Sequence, residues 1–429
     1  MSGQKPREIA VRILQRRQGG GFIEDLLERE LAQAGLSPAD RGLCQELVYG
    51  VVRWQATLDW LISRKTTQKP QQPAVQDLLR LGLYQIFWLD RVPDHAAVHE
   101  TVELAKARRL APQAGFINAV LRGYLREADA TRKLLADLKT SQPHLGYSHP
   151  EWLANRWGER WSIGKAAQLM DWNNQPPKIF ARVNTLKGDA AGLLTRWREE
   201  NVEYDFVPRD WLAENQVFEL KSHPPLAGLQ SFRDGLFYVQ DPSTLLAPQL
   251  LDPQPGESIL DLCAAPGGKL TYLAQLVRNE ARITAHDVSP DRLKMLRENC
   301  ERLGVTCAHP MLPAALATQA SASFDRIVLD APCSNTGVMR RRVDLRWRIR
   351  PEEIERLRLM QLGLLDQAAR LLKPRGTLIY STCSLEPEEN DMVVNEFLSR
   401  NPGFRVETRR ELLPFADRVD GAFVAKITR

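Results

Sequence analysis

From about residue 241 onward, short apolar runs alternate with amphipathic stretches, and this alternation leaves few folds open. Ser258 to Leu262 reads as a first strand, followed by a glycine loop and a helix through Tyr272 and Leu276. Arg282 to His286 reads as a second strand ending at Asp287, with a helix over Pro290 to Leu303. A short strand near Val305 precedes an apolar run over Phe324 to Leu329. A long helix over Pro351 to Leu372, a strand over Thr377 to Tyr380, a helix starting at Pro387 and a strand over Phe423 to Ile427 complete the series. Such alternation predicts a doubly wound, mainly parallel sheet, whose central strands are covered on both faces and so read as unbroken apolar runs.

Ligands of these sheets sit outside the carboxyl ends of the strands. Three of those ends carry chemistry: Asp261-Leu262-Cys263-Ala264-Ala265-Pro266-Gly267-Gly268-Lys269, Asp330-Ala331-Pro332-Cys333-Ser334 and Ser381-Thr382-Cys383-Ser384. Two thiols, a carboxylate and a glycine loop are therefore aimed at one crevice. That points to covalent chemistry on a cofactor-binding α/β sheet.

With 429 residues, 43% of them hydrophobic, the chain has length for two or three domains with sizeable cores. No window approaches the roughly 18 consecutive apolar residues of a membrane span, and the basic N-terminus lacks the apolar core and cleavage site of a signal peptide. Six cysteines without a CxxC pair exclude a disulfide framework, and seven scattered histidines argue against a metal. A reduced, cytoplasmic setting is expected. The net charge of +5 is mild but uneven, because Arg340 to Arg350 holds six arginines, Asp344 and Trp347. As a surface loop this run would simply be solvated. Lying close after Cys333, it reads better as a phosphate-gripping segment with a tryptophan able to stack on a base.

Residues 1–130 read as all helix. Leu43, Leu47, Val51, Trp54, Leu58 and Leu61 mark one buried stripe, with Ser37, Pro38 and Asp40 as its start. Leu79, Leu83 and Ile86 repeat the spacing, as do Phe116, Val120 and Tyr124, and Arg91 to His95 is a turn. His95 and His99 are expected to be ordinary polar helix positions. Residues 131–240 mix linker, short helices and strand-like pieces, including Ile179 to Asn184, and read as a small α+β insert. Four of the ten tryptophans (Trp152, Trp157, Trp161, Trp172) fall within 21 positions of that stretch and are expected to be packing residues. Residues 241–429 form the α/β domain.

The glycine loop is neither a dinucleotide fingerprint nor a P-loop, since it lacks GxGxxG, has Cys263 at the first P-loop glycine and Leu270 in place of Ser/Thr. A ligand without phosphate but with an adenosine ribose fits better, and Asp287 at the second strand end is placed to accept ribose hydroxyls.

The motifs CAAPGGK, DAPCS and STCS in this order resemble those of RNA cytosine-5 methyltransferases. Arg182-Val183-Asn184 and Val239-Gln240-Asp241-Pro242-Ser243 agree with that likeness. LVYGVVR (47–53), LRLGLYQIFWLDRVPDHAAV (79–98) and FINAVLR (116–122) resemble a NusB-like RNA-binding domain. Together they resemble the ribosomal RNA small subunit methyltransferase B family over essentially the whole chain. The resemblance implies an all-α NusB-like bundle, a small α+β insert and a Rossmann-like class I methyltransferase using S-adenosylmethionine.

It also implies roles. C5 of cytosine becomes nucleophilic only after a thiolate adds at C6. By resemblance Cys383 is that nucleophile, Cys333 serves release of the adduct, Asp330 hydrogen-bonds the N3 edge and Lys269 orients the crevice and favours thiolate nearby. The target base must leave its stack to reach these groups. The cofactor is expected on Cys263, Ala264, Ala265, Pro266, Gly267, Gly268, Lys269, Asp287 and Asp330. RNA is expected on Arg182, Asn184, Arg340, Arg341, Arg342, Arg346 and Trp347. The partner implied is 16S rRNA, naked or in an early small-subunit particle, with the enzyme acting as a monomer and without metal. Two departures stand out: no carboxylate occurs in Cys307 to Pro313, where the family commonly carries one facing the adenine, and Asn335 is bulkier than the small residue usual there. A tRNA or another rRNA as substrate keeps the chemistry; a ribosome assembly factor with residual catalysis is the reading of a different class.

Overall fold

The computed structural model describes residues 4–66 and 71–429 and divides into two compact units. One comprises the chain up to Gln175 together with Met339–Arg348; the other comprises Pro176–Val338 and Ile349–Arg429. The division at 175/176 falls inside the 131–240 stretch that was set apart on composition.

The first unit is helical. Ser37 caps the helix Pro38–Arg53, its side chain accepting from the Asp40 N–H at 3.1 Å, with Pro38 in the first turn. The stripe through Leu47, Val51, Leu58 and Leu61 is buried, but it runs over two helices, because Trp54 leaves helical backbone between Pro38–Arg53 and Gln55–Lys65. In the helix Ala111–Arg126, Ile117, Val120 and Tyr124 are buried while Phe116 is 37% exposed. Two of the three expected inward positions are thus buried, and Ile117 takes the place of Phe116. Gly50 admits the Tyr84 ring: a Cβ there would lie 1.9 Å from it.

The arginine run up to Arg348 lies in this unit, and much of it is interior. Arg346 is fully buried and donates to the Asn174 side chain at 2.8 Å and to the carbonyls of Asn173 (3.0 Å), Ser148 (3.2 Å) and Arg53 (3.3 Å). Arg53 and Asn173 stand at helix C-termini, whose last carbonyls have no partner within the helix. Buried Arg340 packs over the Trp172 indole at 4.0 Å. Asp344, also buried, pairs with Arg17 at 2.5 Å and Arg348 at 2.8 Å. Trp347 packs against the helical core, its indole N–H donating to the Val52 carbonyl at 2.7 Å. For Arg340, Arg346 and Trp347 the expectation of RNA contact is therefore corrected: Arg346 and Trp347 donate to the protein's own helix ends, and Arg340 is buried against an indole. Arg342 is exposed and Arg341 half-buried.

The second unit holds two sheets. Strands β1 (Ile179–Val183), β2 (Glu203–Phe206), β3 (Val217–Ser222) and β4 (Phe237–Val239) form an antiparallel sheet in the order β2-β3-β1-β4. Strands β5 (Ser258–Asp261), β6 (Arg282–His286), β7 (Ala308–Met311), β8 (Phe324–Asp330), β9 (Leu372–Thr382), β10 (Arg405–Leu412) and β11 (Ala422–Thr428) form the larger sheet. Its order is β10-β11-β9-β8-β5-β6-β7; β9 to β7 run parallel, and β11 and β10 are antiparallel. β10 has no counterpart in the sequence reading, since RVETRREL shows no apolar alternation, as suits an edge strand with one partner. β7, at the other edge, tolerates Pro310 for the same reason and starts three residues later than expected.

Chain direction reverses between β5 and β8: from β5 it proceeds through β6 to β7, then returns to β8 on β5's other side. The crevice above that switch point is where such sheets take ligands.

Arg182 and Asn184 also differ from expectation. Arg182 on β1 is fully buried between the Tyr238 and Tyr272 rings, donating to the Gly268 carbonyl and the Thr271 hydroxyl at 2.9 Å each and to Gln240. Burial pulls its guanidinium down to about 10. Asn184 donates to the carbonyls of Gly235 (2.7 Å) and Leu303 (2.8 Å). Neither is available to RNA; both hold β1 against the glycine loop and its neighbouring helices.

Candidate active site

β5 ends at Asp261, and the chain turns through Gly267 into the helix Gly268–Leu276. Gly267 has φ +106°, a backbone that side-chain-bearing residues rarely adopt, and its N–H donates to the Ala264 carbonyl at 2.8 Å. The Ala265–Pro266 peptide is cis. The Ala264 N–H binds the His286 carbonyl at 2.8 Å, and Asn299 reaches the Pro266 carbonyl at 3.0 Å.

Asp287, at the end of β6, is buried and accepts from the N–H groups of Ala265 (3.3 Å) and Ser289 (3.0 Å), with Arg292 at 3.2 Å. Each oxygen keeps lone-pair capacity for a ribose hydroxyl. Asp261 beside it is buried with neither carboxylate oxygen hydrogen-bonded, and burial, followed by the nearby Asp330 charge, pushes it up to about 8. A glycine turn beside the free acceptor capacity of Asp287 and the buried acid Asp261 suits a ligand that brings hydroxyl and ammonium donors, so these residues fit S-adenosylmethionine. At the end of β7, Leu312 is 55% exposed where the family's adenine-facing carboxylate would be sought.

Asp330 on β8 lies opposite Ser381 on the parallel neighbour β9, so the chain leaves both strands at one height. That register brings Cys333 and Cys383 together, Sγ to Sγ 3.3 Å apart. Asp330 accepts from the Ser381 hydroxyl at 3.1 Å and pairs with Lys269 at 2.7 Å. Burial works to lower the Lys269 pKa, but the charge of Asp330 and its hydrogen bond help outweigh it and raise it, so the ammonium stays charged. Cys333 is pushed well above its ordinary range by its hydrogen bond with Cys383, by burial, and by the charges of Cys383 and Glu389. Cys383 is half-buried and donates to the Asn335 side-chain carbonyl at 3.1 Å. Asn335 has φ +59°, which asparagine tolerates, and its amide N–H binds the Cys333 carbonyl at 2.6 Å.

The structure thus gathers Lys269, Asp330, Cys333 and Cys383 at the strand ends, beside the loop Cys263–Gly268 and Asp287. Three contributors went unread in the sequence: Asp261, Asn335 as a partner of the thiol, and Glu389, which receives both serines that follow the cysteines. The repeated Cys-Ser pair was the available signal for the last.

Residues 4–126 match the NusB family, residues 149–210 a family described as Methyltr_RsmF/B-like, ferredoxin-like domain, and residues 248–428 a family described as 16S rRNA methyltransferase RsmB/F. The Bacillus subtilis (strain 168) protein named "Probable ribosomal RNA small subunit methyltransferase B" is 36% identical over 99% of this chain and 98% of its own length. A Klebsiella pneumoniae protein named "Ribosomal RNA small subunit methyltransferase B" is 37% identical over 92% of each chain. Among solved structures, a methyltransferase homolog protein from Pyrococcus horikoshii superposes with TM-score 0.58 at 32% identity, covering 67% of this chain and 97% of that one.

Proposed function

The chain belongs to the ribosomal RNA small subunit methyltransferase B family, and from that premise we propose that it methylates C5 of a cytosine in 16S rRNA through a covalent adduct on Cys383. The coarser activity, S-adenosylmethionine-dependent methyl transfer to rRNA, follows from membership. The observation that carries the finer reading is the pair of thiols 3.3 Å apart beside the Lys269–Asp330 ion pair.

When bound, S-adenosylmethionine supplies an electrophilic methyl group; Cys263–Lys269, Asp287 and Asp330 are the residues to hold it. Cys383 adds to C6 of the flipped base, forming an S–C6 bond and moving electron density to C5. Asp330, held by Lys269 and Ser381, faces the N3 edge and accepts a hydrogen bond from N3 as that nitrogen takes up the proton that the Cys383 thiol releases on adding to C6. Cys333, kept protonated by its surroundings, does not compete as nucleophile. It serves the later step: once Cys383 is bonded to C6 its charge no longer holds Cys333 protonated, so Cys333 gives its proton to solvent and takes up the C5 proton as the C5–C6 double bond re-forms and Cys383 departs as thiolate. The helical unit takes part in gripping RNA, with exposed Arg342 and neighbouring Arg341 the members of the arginine run assigned to it. The enzyme acts in the cytoplasm as a monomer on 16S rRNA, naked or in an early particle.

Tritium-methyl transfer to separate unmethylated 16S, 23S and tRNA tests the substrate: label as 5-methylcytosine only in 16S is expected, and label only in tRNA overturns the assignment. For the thiols, Cys333→Ala is expected to accumulate a protein–RNA adduct that survives denaturing electrophoresis, whereas Cys383→Ala forms none. Equal trapping by both would refute the division of roles.

A further inference from the structure

Glu389 follows the second thiol motif, in the short 3-10 turn Pro387–Glu389, and is fully buried. Its carboxylate accepts from the Ser334 N–H at 2.8 Å, from the Ser334 and Ser384 hydroxyls, and from the Gln361 amide at 3.0 Å. Ser334 directly follows Cys333 and Ser384 directly follows Cys383; their hydroxyls also meet each other at 3.0 Å. One buried carboxylate therefore ties together the residues after both thiols. The surrounding backbone is fixed to match: Gly337 N–H donates to the Cys383 carbonyl at 2.9 Å, and Leu385 N–H to the Thr336 hydroxyl at 2.8 Å.

A buried acid is costly to desolvate, and burial does raise the Glu389 pKa. Fold stability alone does not call for it, since a neutral polar side chain could join two serines. We propose that Glu389 is a positioning residue for the paired thiols, setting the separation of Cys333 from Cys383 through Ser334 and Ser384. This deepens the two-thiol reading above and rests on it. Forming the adduct needs Cys383 alone, whereas releasing it needs both thiols in register, so Glu389 acts chiefly on release. Its negative charge also favours the protonated state of Cys333.

Glu389→Gln keeps the size but replaces one acceptor oxygen by a donor, so one serine contact is lost. Adduct formation is expected near the wild-type rate, while release slows by about ten- to a hundredfold, as misplacements of this order do. Combining it with Cys333→Ala should slow release no further than Cys333→Ala alone. Ser334→Ala and Ser384→Ala, each deleting one donor, are the milder variants should Glu389→Gln fold poorly, and each should show the same selective slowing. A second readout needs no RNA: phenylarsine oxide bridges only closely spaced thiols, and its affinity should fall about tenfold in Glu389→Gln. Unchanged arsenical affinity, or formation and release slowed equally, overturns the proposal. If the affinity falls but Cys333→Ala traps no adduct, the two-thiol reading fails while the positioning role stands.

Discussion

Asp261 shows how far one residue's environment departs from its composition. Its folded-state pKa of about 8 lies far above the roughly 3.9 of an exposed aspartate. Between those values the unfolded chain has given up a proton that the folded chain keeps. Stability should therefore fall as pH rises from about 4 to about 8, by up to about 1.4 kcal/mol per unit, and be insensitive to this group outside that window. Urea titrations of cofactor-free protein at several pH values should show that slope, and Asp261→Asn should remove it. An identical slope in the variant would mean that Asp261 is ionised in the folded state. The sequence placed Asp261 at a strand end beside the glycine loop; its raised pKa depends on burial and then on Asp330, which no local pattern records.

At the scale of elements, β1 was legible as a strand with a polar end, but the direction of that end was not. Arg182 and Asn184 were expected on RNA from the family resemblance, a role that needs their side chains at the surface. In the fold, β1 runs centrally between β3 and β4, and Arg182 reaches beneath Gly268. Arg182→Met should therefore weaken S-adenosylmethionine binding by about tenfold in calorimetric titration, by removing a buried charged hydrogen bond to the loop, with thiol alkylation unchanged. Unaltered cofactor affinity would make β1 a scaffold without influence on the loop. β10 escaped notice for the converse reason: an edge strand needs no apolar face on both sides. The helix expected from Pro387 begins instead as a 3-10 turn, and that tighter turn delivers Glu389 to the serines.

At the scale of the molecule, the chain leaves the second unit after Val338 and returns to it at Ile349, lending Met339–Arg348 to the helical unit. The charge run that suggested a nucleic-acid grip is in large part the mortar of that unit. Arg346→Met should strip four acceptors of their donor and destabilise the helical unit by about 2–4 kcal/mol in differential scanning calorimetry. Arg342→Ala, exposed, should leave that transition in place. A loss at Arg342 as large as at Arg346 would contradict the interior role assigned here.

Most of the order of strands and helices, β10 excepted, the glycine loop and both thiol motifs were determined by the sequence itself, because each depends on local periodicity, turn residues or contiguous motifs. Which polar groups face inward was decided only by tertiary structure. A guanidinium or carboxylate is silent in sequence about whether its partner is water, RNA or a helix-end carbonyl distant in the chain. The 3.3 Å approach of Cys333 to Cys383 and the sharing of Glu389 by both their serines belong to that second class. They arise from the parallel register of β8 with β9, a long-range pairing that places distant motifs at one height.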